Sequence, residues 1–195
     1  MSKGKLFILL GQSGVGKNTI LDAILKKHPD FWRVVTYTTR EPRPEEIPGE
    51  DHYFVYKEKF DSMVKNGELL EHAFCHDDWY GTPKKEVIDV LKNGKNAIAE
   101  IEYQGAMQIK ETMPEAITIF IKYEDGDLRG LIERRLKNDP GRGDVSEEEI
   151  ETRYHTALKE KRFIDKFDYQ VINPEGHPEV AIGEVENIIK KELAN

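Results

Sequence analysis

Leu6-Phe-Ile-Leu-Leu10 runs into Gly11-Gln-Ser-Gly-Val-Gly-Lys17 and then Asn18-Thr-Ile-Leu21, and this stretch decides the fold. Five consecutive apolar residues closed by glycine predict a buried strand of the parallel kind. From Thr19 to Lys27 the residues Ile20, Ile24 and Leu25 recur at helical spacing, so the order is strand, loop, helix. The loop fits G-x-x-x-x-G-K in the strand-to-helix setting that the pattern demands. Its glycines let successive backbone N–H groups turn inward, and the helix N-terminus adds the positive end of its dipole. A nucleotide phosphate site is the expectation, with Gly11, Ser13, Gly14, Val15 and Gly16 in the loop and Lys17 reaching the β- and γ-phosphates.

One position departs from the pattern. Where it has Ser or Thr as a ligand for Mg²⁺, this chain has Asn18, with Thr19 one place later. Magnesium takes hard oxygen ligands in octahedral geometry, and an amide oxygen is bulkier and differently placed than a hydroxyl. Two arrangements stay open: Asn18 binds the metal directly, or the metal is held through water.

Beyond the loop, Ala97-Ile-Ala-Glu-Ile101 and Ala116-Ile-Thr-Ile-Phe-Ile121 read as two more buried strands with helical stretches around them. Phe167 to Ile172 and Glu179 to Leu193 predict a last strand and a closing helix. This alternation argues for an α/β fold with a mostly parallel sheet flanked by helices. Two segments break the alternation. Val34 to Tyr56, rich in Thr, Tyr, Val, Pro and charge, predicts a small β-rich insertion. Asp125 to Lys161 predicts a helix carrying Arg134 and Arg135, a turn at Asn138-Asp-Pro-Gly-Arg-Gly143, and a charged helix.

A chain of 195 residues suits one compact unit rather than two large domains. The net charge of −8 argues against a broad nucleic-acid footprint, so an anionic ligand needs a local cluster of cations. No apolar run approaches the roughly 20 residues of a membrane span, and Met1 to Leu10 shows no signal-peptide cleavage site. A cytoplasmic location is expected, with no membrane and no obligate protein partner. The single cysteine, Cys75, predicts no internal disulfide and no thiol-based metal site. His28, His72, His76, His155 and His177 lack metal-ligand spacing and are read as surface or packing residues.

Thr36-Tyr-Thr-Thr-Arg40-Glu-Pro-Arg43 places two arginines three residues apart, and guanidinium forks hold phosphate bidentately. Further on stand Glu68-Leu-Leu-Glu71 and Asp78-Trp-Tyr80-Gly-Thr82. A carboxylate accepts from both N1–H and the 2-amino group of guanine, a donor pair that adenine lacks. Taken together, T-T-R-x-P-R, Gly49, Phe54, Glu71, Tyr80-Gly-Thr82 and Gln104-Gly-Ala resemble the guanylate kinases in order and spacing over essentially the whole chain.

That resemblance implies the nucleoside monophosphate kinase fold. Residues 1–33, 83–124 and 162–195 would form the core, 34–82 a GMP-binding insertion and 125–161 a helical lid. It implies ATP and GMP as substrates, with Mg²⁺ accompanying ATP. Arg40, Arg43 and Tyr80 would hold the GMP phosphate, and Thr36, Glu71 and Thr82 would read guanine. Glu100-Ile-Glu102 stands where the family has Asp-x-Asp, so Glu100 inherits a place near the metal and Glu102 one near guanine or the reacting phosphates. His52 stands where the family has a phosphate-binding tyrosine, with Tyr53 beside it. Either can donate to a phosphate, and the role is assigned to His52. Glu45-Glu46 replaces the family's Gly-Glu. Arg135, Arg142 and Arg153 match the lid arginines, and Asn173 the residue near adenine, with Pro174 in place of an acidic neighbour.

Such a site works by positioning and charge neutralisation. A phosphate monoester, with its second pKa near 6, is already mostly a dianion at neutral pH and needs no general base. Two other readings have distinct signatures. A non-catalytic guanylate-kinase-like module would lack the phosphate loop and lid arginines, and a kinase of another phosphate ester would have no use for a guanine reader.

Overall fold

The computed structural model describes residues 3–75, 77–124, 126–138 and 144–194. Nine strands and seven α-helices are assigned among them. In chain order they begin β1 (Leu6–Gly11), α1 (Lys17–Lys27), β2 (Trp32–Arg33), β3 (Thr36–Thr38), β4 (His52–Phe54) and α2 (Lys57–Lys65). Next come β5 (Leu69–Cys75), β6 (Asp78–Pro83), α3 (Lys84–Lys92), β7 (Ala97–Glu100), α4 (Tyr103–Thr112) and β8 (Ile117–Lys122). The chain closes with α5 (Leu128–Lys137), α6 (Glu147–Lys161), β9 (Tyr169–Ile172) and α7 (Pro178–Ala194).

The strands form a five-stranded sheet of order β2-β7-β1-β8-β9 and a four-stranded sheet of order β4-β3-β6-β5. In the larger sheet β2 pairs parallel with β7, and β8 with β9. Every residue of β1 is buried, which is why its sequence shows no polar alternation. The expectation of a mostly parallel sheet flanked by helices holds. No helix among the described residues is long and apolar enough to cross a membrane.

The chain divides into two compact units rather than the single one expected from its length. Residues 1–8 and 29–117 make the first, which contains the whole four-stranded sheet. Its strands β5 and β6 are antiparallel, and Asp77 precedes β6 with φ 68°, a left-handed conformation that a short polar side chain tolerates. The register shifts between Leu69 and Glu71, an irregularity that sets Glu71 opposite Thr82. Helix α2, which the β-rich reading of this region did not include, buries Phe60 and Met63 as its apolar stripe.

Residues 9–28 and 118–195 make the second unit. Here α1 buries Ile20, Leu21 and Ile24, and α7 buries Ala181, Val185, Ile188 and Ile189 at helical spacing. Helix α6 opens on Ser146, whose hydroxyl accepts from Glu149 N–H, and carries three glutamates in its first turn, where the dipole favours them.

Candidate active site

The second unit holds the phosphate loop. Gly11, Gly14 and Gly16 have φ of 141°, 75° and 92°, a backbone that side-chain-bearing residues rarely adopt. A Cβ on Gly11 would lie 2.0 Å from the Ile121 carbonyl oxygen, and one on Gly16 would lie 2.9 Å from both Arg135 Nη1 and Asn173 Nδ2. Lys17, only 8% exposed, opens α1 and folds back so that Nζ donates to the carbonyls of Gly11 at 3.0 Å and Gln12 at 3.4 Å. Asn18 and Thr19 follow it on the exposed side of the first turn.

The outer carbonyls of the loop are held from other elements. Ser13 O accepts from Tyr123 Oη at 3.1 Å, Gly14 O from Arg135 Nη1 at 3.3 Å and Val15 O from Asn173 Nδ2 at 2.6 Å. Ser13 also accepts at Oγ from Arg153 Nη1 at 2.7 Å, while Arg153 Nε donates to Glu149 at 3.0 Å. Arg135 and Arg153, chosen in the sequence as lid arginines, therefore both meet the loop. Arg134, next in sequence to Arg135, instead pairs with Glu175 at 2.9 Å. Asn173 is 2% exposed and its Oδ1 is buried without a hydrogen-bond partner, an acceptor oriented by the bond its amide nitrogen makes. Arg142 lies outside the described residues, as do His76 and the rest of residues 139–143, where the turn was expected.

The first unit holds the other cluster. Arg40 spends its donors on three groups: Nε on Tyr80 Oη at 3.2 Å, Nη1 on Glu41 O at 2.8 Å and Glu46 Oε2 at 2.9 Å, and Nη2 on Glu46 Oε1 at 2.8 Å. Glu46 Oε2 also accepts from Arg43 N–H at 2.7 Å, so one carboxylate ties both arginine positions together. Burial works against this charge, yet Arg40 and the Arg43 amide hold the Glu46 carboxyl below the usual carboxylate range. With Nε–H given to its oxygen, Tyr80 keeps its own O–H to donate.

His52 and Tyr53 separate by strand geometry. In parallel register Thr36 lies opposite His52 and Tyr37 opposite Tyr53. His52 Nδ1 sits 2.9 Å from Thr36 Oγ1, and its ring meets Tyr80 edge-on at 5.8 Å, whereas Tyr53 packs on Tyr37 at 4.9 Å. Burial, with Arg40 close by, pushes His52 down, so the ring is neutral near pH 7. When the Thr36 hydroxyl donates to Nδ1, the ring proton sits on Nε2 as a further donor.

Glu71, 3% exposed, accepts from Thr82 Oγ1 at 2.6 Å. Burial pushes its carboxyl up to about 7, the Thr82 hydrogen bonds opposing and the charge of Glu102 adding to the rise. Gly105, in the first turn of α4, makes this position accessible: a Cβ there would stand 2.1 Å from Glu71 Oε2. Glu102 precedes α4 and Glu100 ends β7, both half-buried.

Sequence reasoning singled out neither Gln12 nor Tyr123, and it gave no role to Glu46 or Gly105. Gln12 Oε1 accepts from Tyr123 N–H at 2.8 Å, which ties the residue after β8 to the phosphate loop. The available signal was a polar residue in a variable loop place and a tyrosine one step past a buried strand.

A family model for guanylate kinase matches residues 3–192. The guanylate kinase of Trichormus variabilis is 41% identical over 175 residues, covering 88% of this chain and 83% of its own. That of Clostridium tetani is 40% identical over 192 residues, covering 98% and 88%. Among solved structures, the guanylate kinase from Anaplasma phagocytophilum superimposes with a TM-score of 0.76 at 27% identity, covering 98% of this chain and 87% of that one. With a match that spans every residue carrying the two clusters, the chain belongs to the guanylate kinase family.

Proposed function

We propose that the protein transfers the γ-phosphoryl group of ATP to GMP, forming ADP and GDP, as a cytoplasmic enzyme. The observation that carries this reading is the buried Glu71–Thr82 pair, in the same unit as Arg40, Tyr80 and His52. A base reader and a phosphate cradle within one unit suit a purine monophosphate, and a buried acceptor carboxylate suits guanine.

In this mechanism guanine N1–H and the 2-amino group donate to Glu71, with Thr82, Thr36 and Glu102 completing the base site. Arg40, Arg43, Tyr80 and His52 hold the acceptor phosphate. Residues 34–82 act as the GMP-binding insertion, 125–161 as the lid, and 1–33, 83–124 and 162–195 as the core. The loop amides from Gly11 to Lys17, the start of α1 at Asn18 and Thr19, and Asn173 beside adenine hold ATP. An oxygen of the acceptor phosphate, already a dianion, attacks the γ-phosphorus in line as the bond to the ADP oxygen breaks. Lys17 leaves the loop carbonyls for the phosphates, and Arg135, Arg142 and Arg153 neutralise the charge that develops on the transferring group.

Magnesium suits the donor chemistry. Asn18 and Glu100 offer hard oxygens, and no group of three or more His, Cys, Asp or Glu residues fit to hold a metal occurs among the described residues. An ion accompanying ATP would be held mainly by nucleotide phosphates and water, with Asn18 or Glu100 as a supplementary oxygen ligand. When bound, Mg²⁺ supplies charge stabilisation to the phosphates.

The test is ADP formation from MgATP with GMP, dGMP, AMP, CMP, UMP and ribose phosphates offered separately. Strong preference for GMP, diminished in Glu71→Gln, is expected. Equal turnover with AMP would refute the guanine reader, and no turnover with any acceptor would refute the reaction.

A further inference from the structure

Tyr123 follows β8 by one residue and is 5% exposed. Its backbone N–H donates to Gln12 Oε1 at 2.8 Å and its hydroxyl to Ser13 O at 3.1 Å. The guanidinium of Arg135 lies over its ring, 5.1 Å from the centroid, close enough for a cation–π contact. A Cβ on Gly14 would come within 3.0 Å of the phenol oxygen, so the hydroxyl abuts the loop itself. Burial raises the phenol above its ordinary range, although Arg135 and Arg153 oppose this, so the hydroxyl remains a donor at any working pH.

Three successive loop carbonyls thus accept from three different side chains, Ser13 from Tyr123, Gly14 from Arg135 and Val15 from Asn173. Fixing a carbonyl fixes its peptide plane and hence the direction of the N–H on the other side, which is the group that meets a phosphate. Tyr123 holds one of these planes directly and provides the surface on which the holder of the next one rests. We infer that Tyr123 is a positioning residue of the donor site, a strut for the phosphate loop and a platform for Arg135. The inference rests on the loop being the ATP site.

Two variants separate the roles. Tyr123→Phe keeps the ring under Arg135 and removes the bond to Ser13, while Tyr123→Leu removes both. Each is assayed for ADP formation at varied ATP and varied GMP, alone and combined with Arg135→Ala. Tyr123→Phe is expected to raise KM for ATP about fivefold, the loss of one neutral hydrogen bond, with KM for GMP unchanged. Tyr123→Leu should also lower kcat, and adding Arg135→Ala to it should cost far less than Arg135→Ala alone, because the ring and the guanidinium act as a pair. An unchanged KM for ATP in Tyr123→Phe overturns the strut, and costs that simply multiply overturn the platform. Should Tyr123→Leu fold poorly, the isosteric Tyr123→Phe carries the test, and Arg135→Ala must then show its full cost on that background. If the unmodified protein turns over no acceptor, the ATP-to-GMP reading fails by itself. Tyr123 is then judged by calorimetry with ATP, where Tyr123→Phe should bind about fivefold more weakly.

Discussion

The phosphate loop and the four-stranded sheet both gather groups suited to phosphate, but they hold those groups by different chemistry. In the loop, side chains donate to main-chain carbonyls: Lys17 to Gly11 and Gln12, Tyr123 to Ser13, Arg135 to Gly14 and Asn173 to Val15. In and beside the sheet, most of the bonds join side chains: Arg40 with Glu46 and Tyr80, Thr36 with His52, Thr82 with Glu71. A main-chain site depends on glycine conformations and tolerates change at its variable places. A side-chain network depends on both partners at every contact, so a single substitution there is felt by its neighbours.

Four changes break or sharpen this contrast, the largest effect first. Lys17→Ala removes the one lysine of the loop and should lower ADP formation about a thousandfold while calorimetry shows GMP binding intact. A comparable loss of GMP binding would mean that the two clusters are not separate sites.

Gly105→Ala places a methyl against Glu71 and should lower kcat/KM for GMP about tenfold, with KM for ATP unchanged. Adding Glu71→Asp, which withdraws the carboxylate by one methylene, should restore part of the loss. Equal losses for both substrates would point to general misfolding of the α4 region instead.

In the proposed guanine site, Glu71 would also make base binding sensitive to pH. Guanine's two donors need the ionised carboxylate, whereas burial favours the protonated one up to about 7. Guanosine, which lacks the phosphate and its own titration, should bind severalfold more tightly at pH 8 than at pH 6, and the slope should vanish in Glu71→Gln. For stability the sign is opposite. The folded state keeps a proton that the unfolded chain releases in the usual carboxylate range, so this group's contribution falls as pH rises from that range through about 7. Denaturation midpoints across that window measure it.

The smallest effect is expected at Glu46. Glu46→Gln cannot accept with both terminal atoms, so the two-point grip on Arg40 is lost and KM for GMP should rise about threefold, with guanosine affinity unchanged. A fall in KM would mean that Glu46 competes with the acceptor phosphate rather than orienting its arginine.

Much of the phosphate loop was legible in the sequence because it is local: strand β1, the glycines and Lys17 lie within twelve residues and dictate their own geometry. Strands β7 and β8 and helix α7 were also readable to within a residue of their ends, since an unbroken apolar run or a 3.6-residue stripe states its own burial. Helix α2 directly follows the segment 34–56 read as extended, and its short stripe of Phe60 and Met63 was not picked out in the sequence. The strand pairing that sets His52 beside Thr36 and Tyr53 beside Tyr37 is not written in the local sequence, where the two residues are simply neighbours. Glu46 was visible as a carboxylate after two arginines, but its two-point bond needs the turn between them to bring it back.

By itself, the sequence determined the phosphate loop, the α/β alternation and the order of motifs that marks the family, all of which are encoded in spacing along the chain. The tertiary structure decided which loop carbonyls are held and by what, because Tyr123 meets Ser13 across 110 positions and Asn173 meets Val15 across 158. It also decided the charge state available to Glu71, since a carboxylate titrates according to the water it loses and the neighbours it gains, and β5, β6 and α4 supply these only once packed.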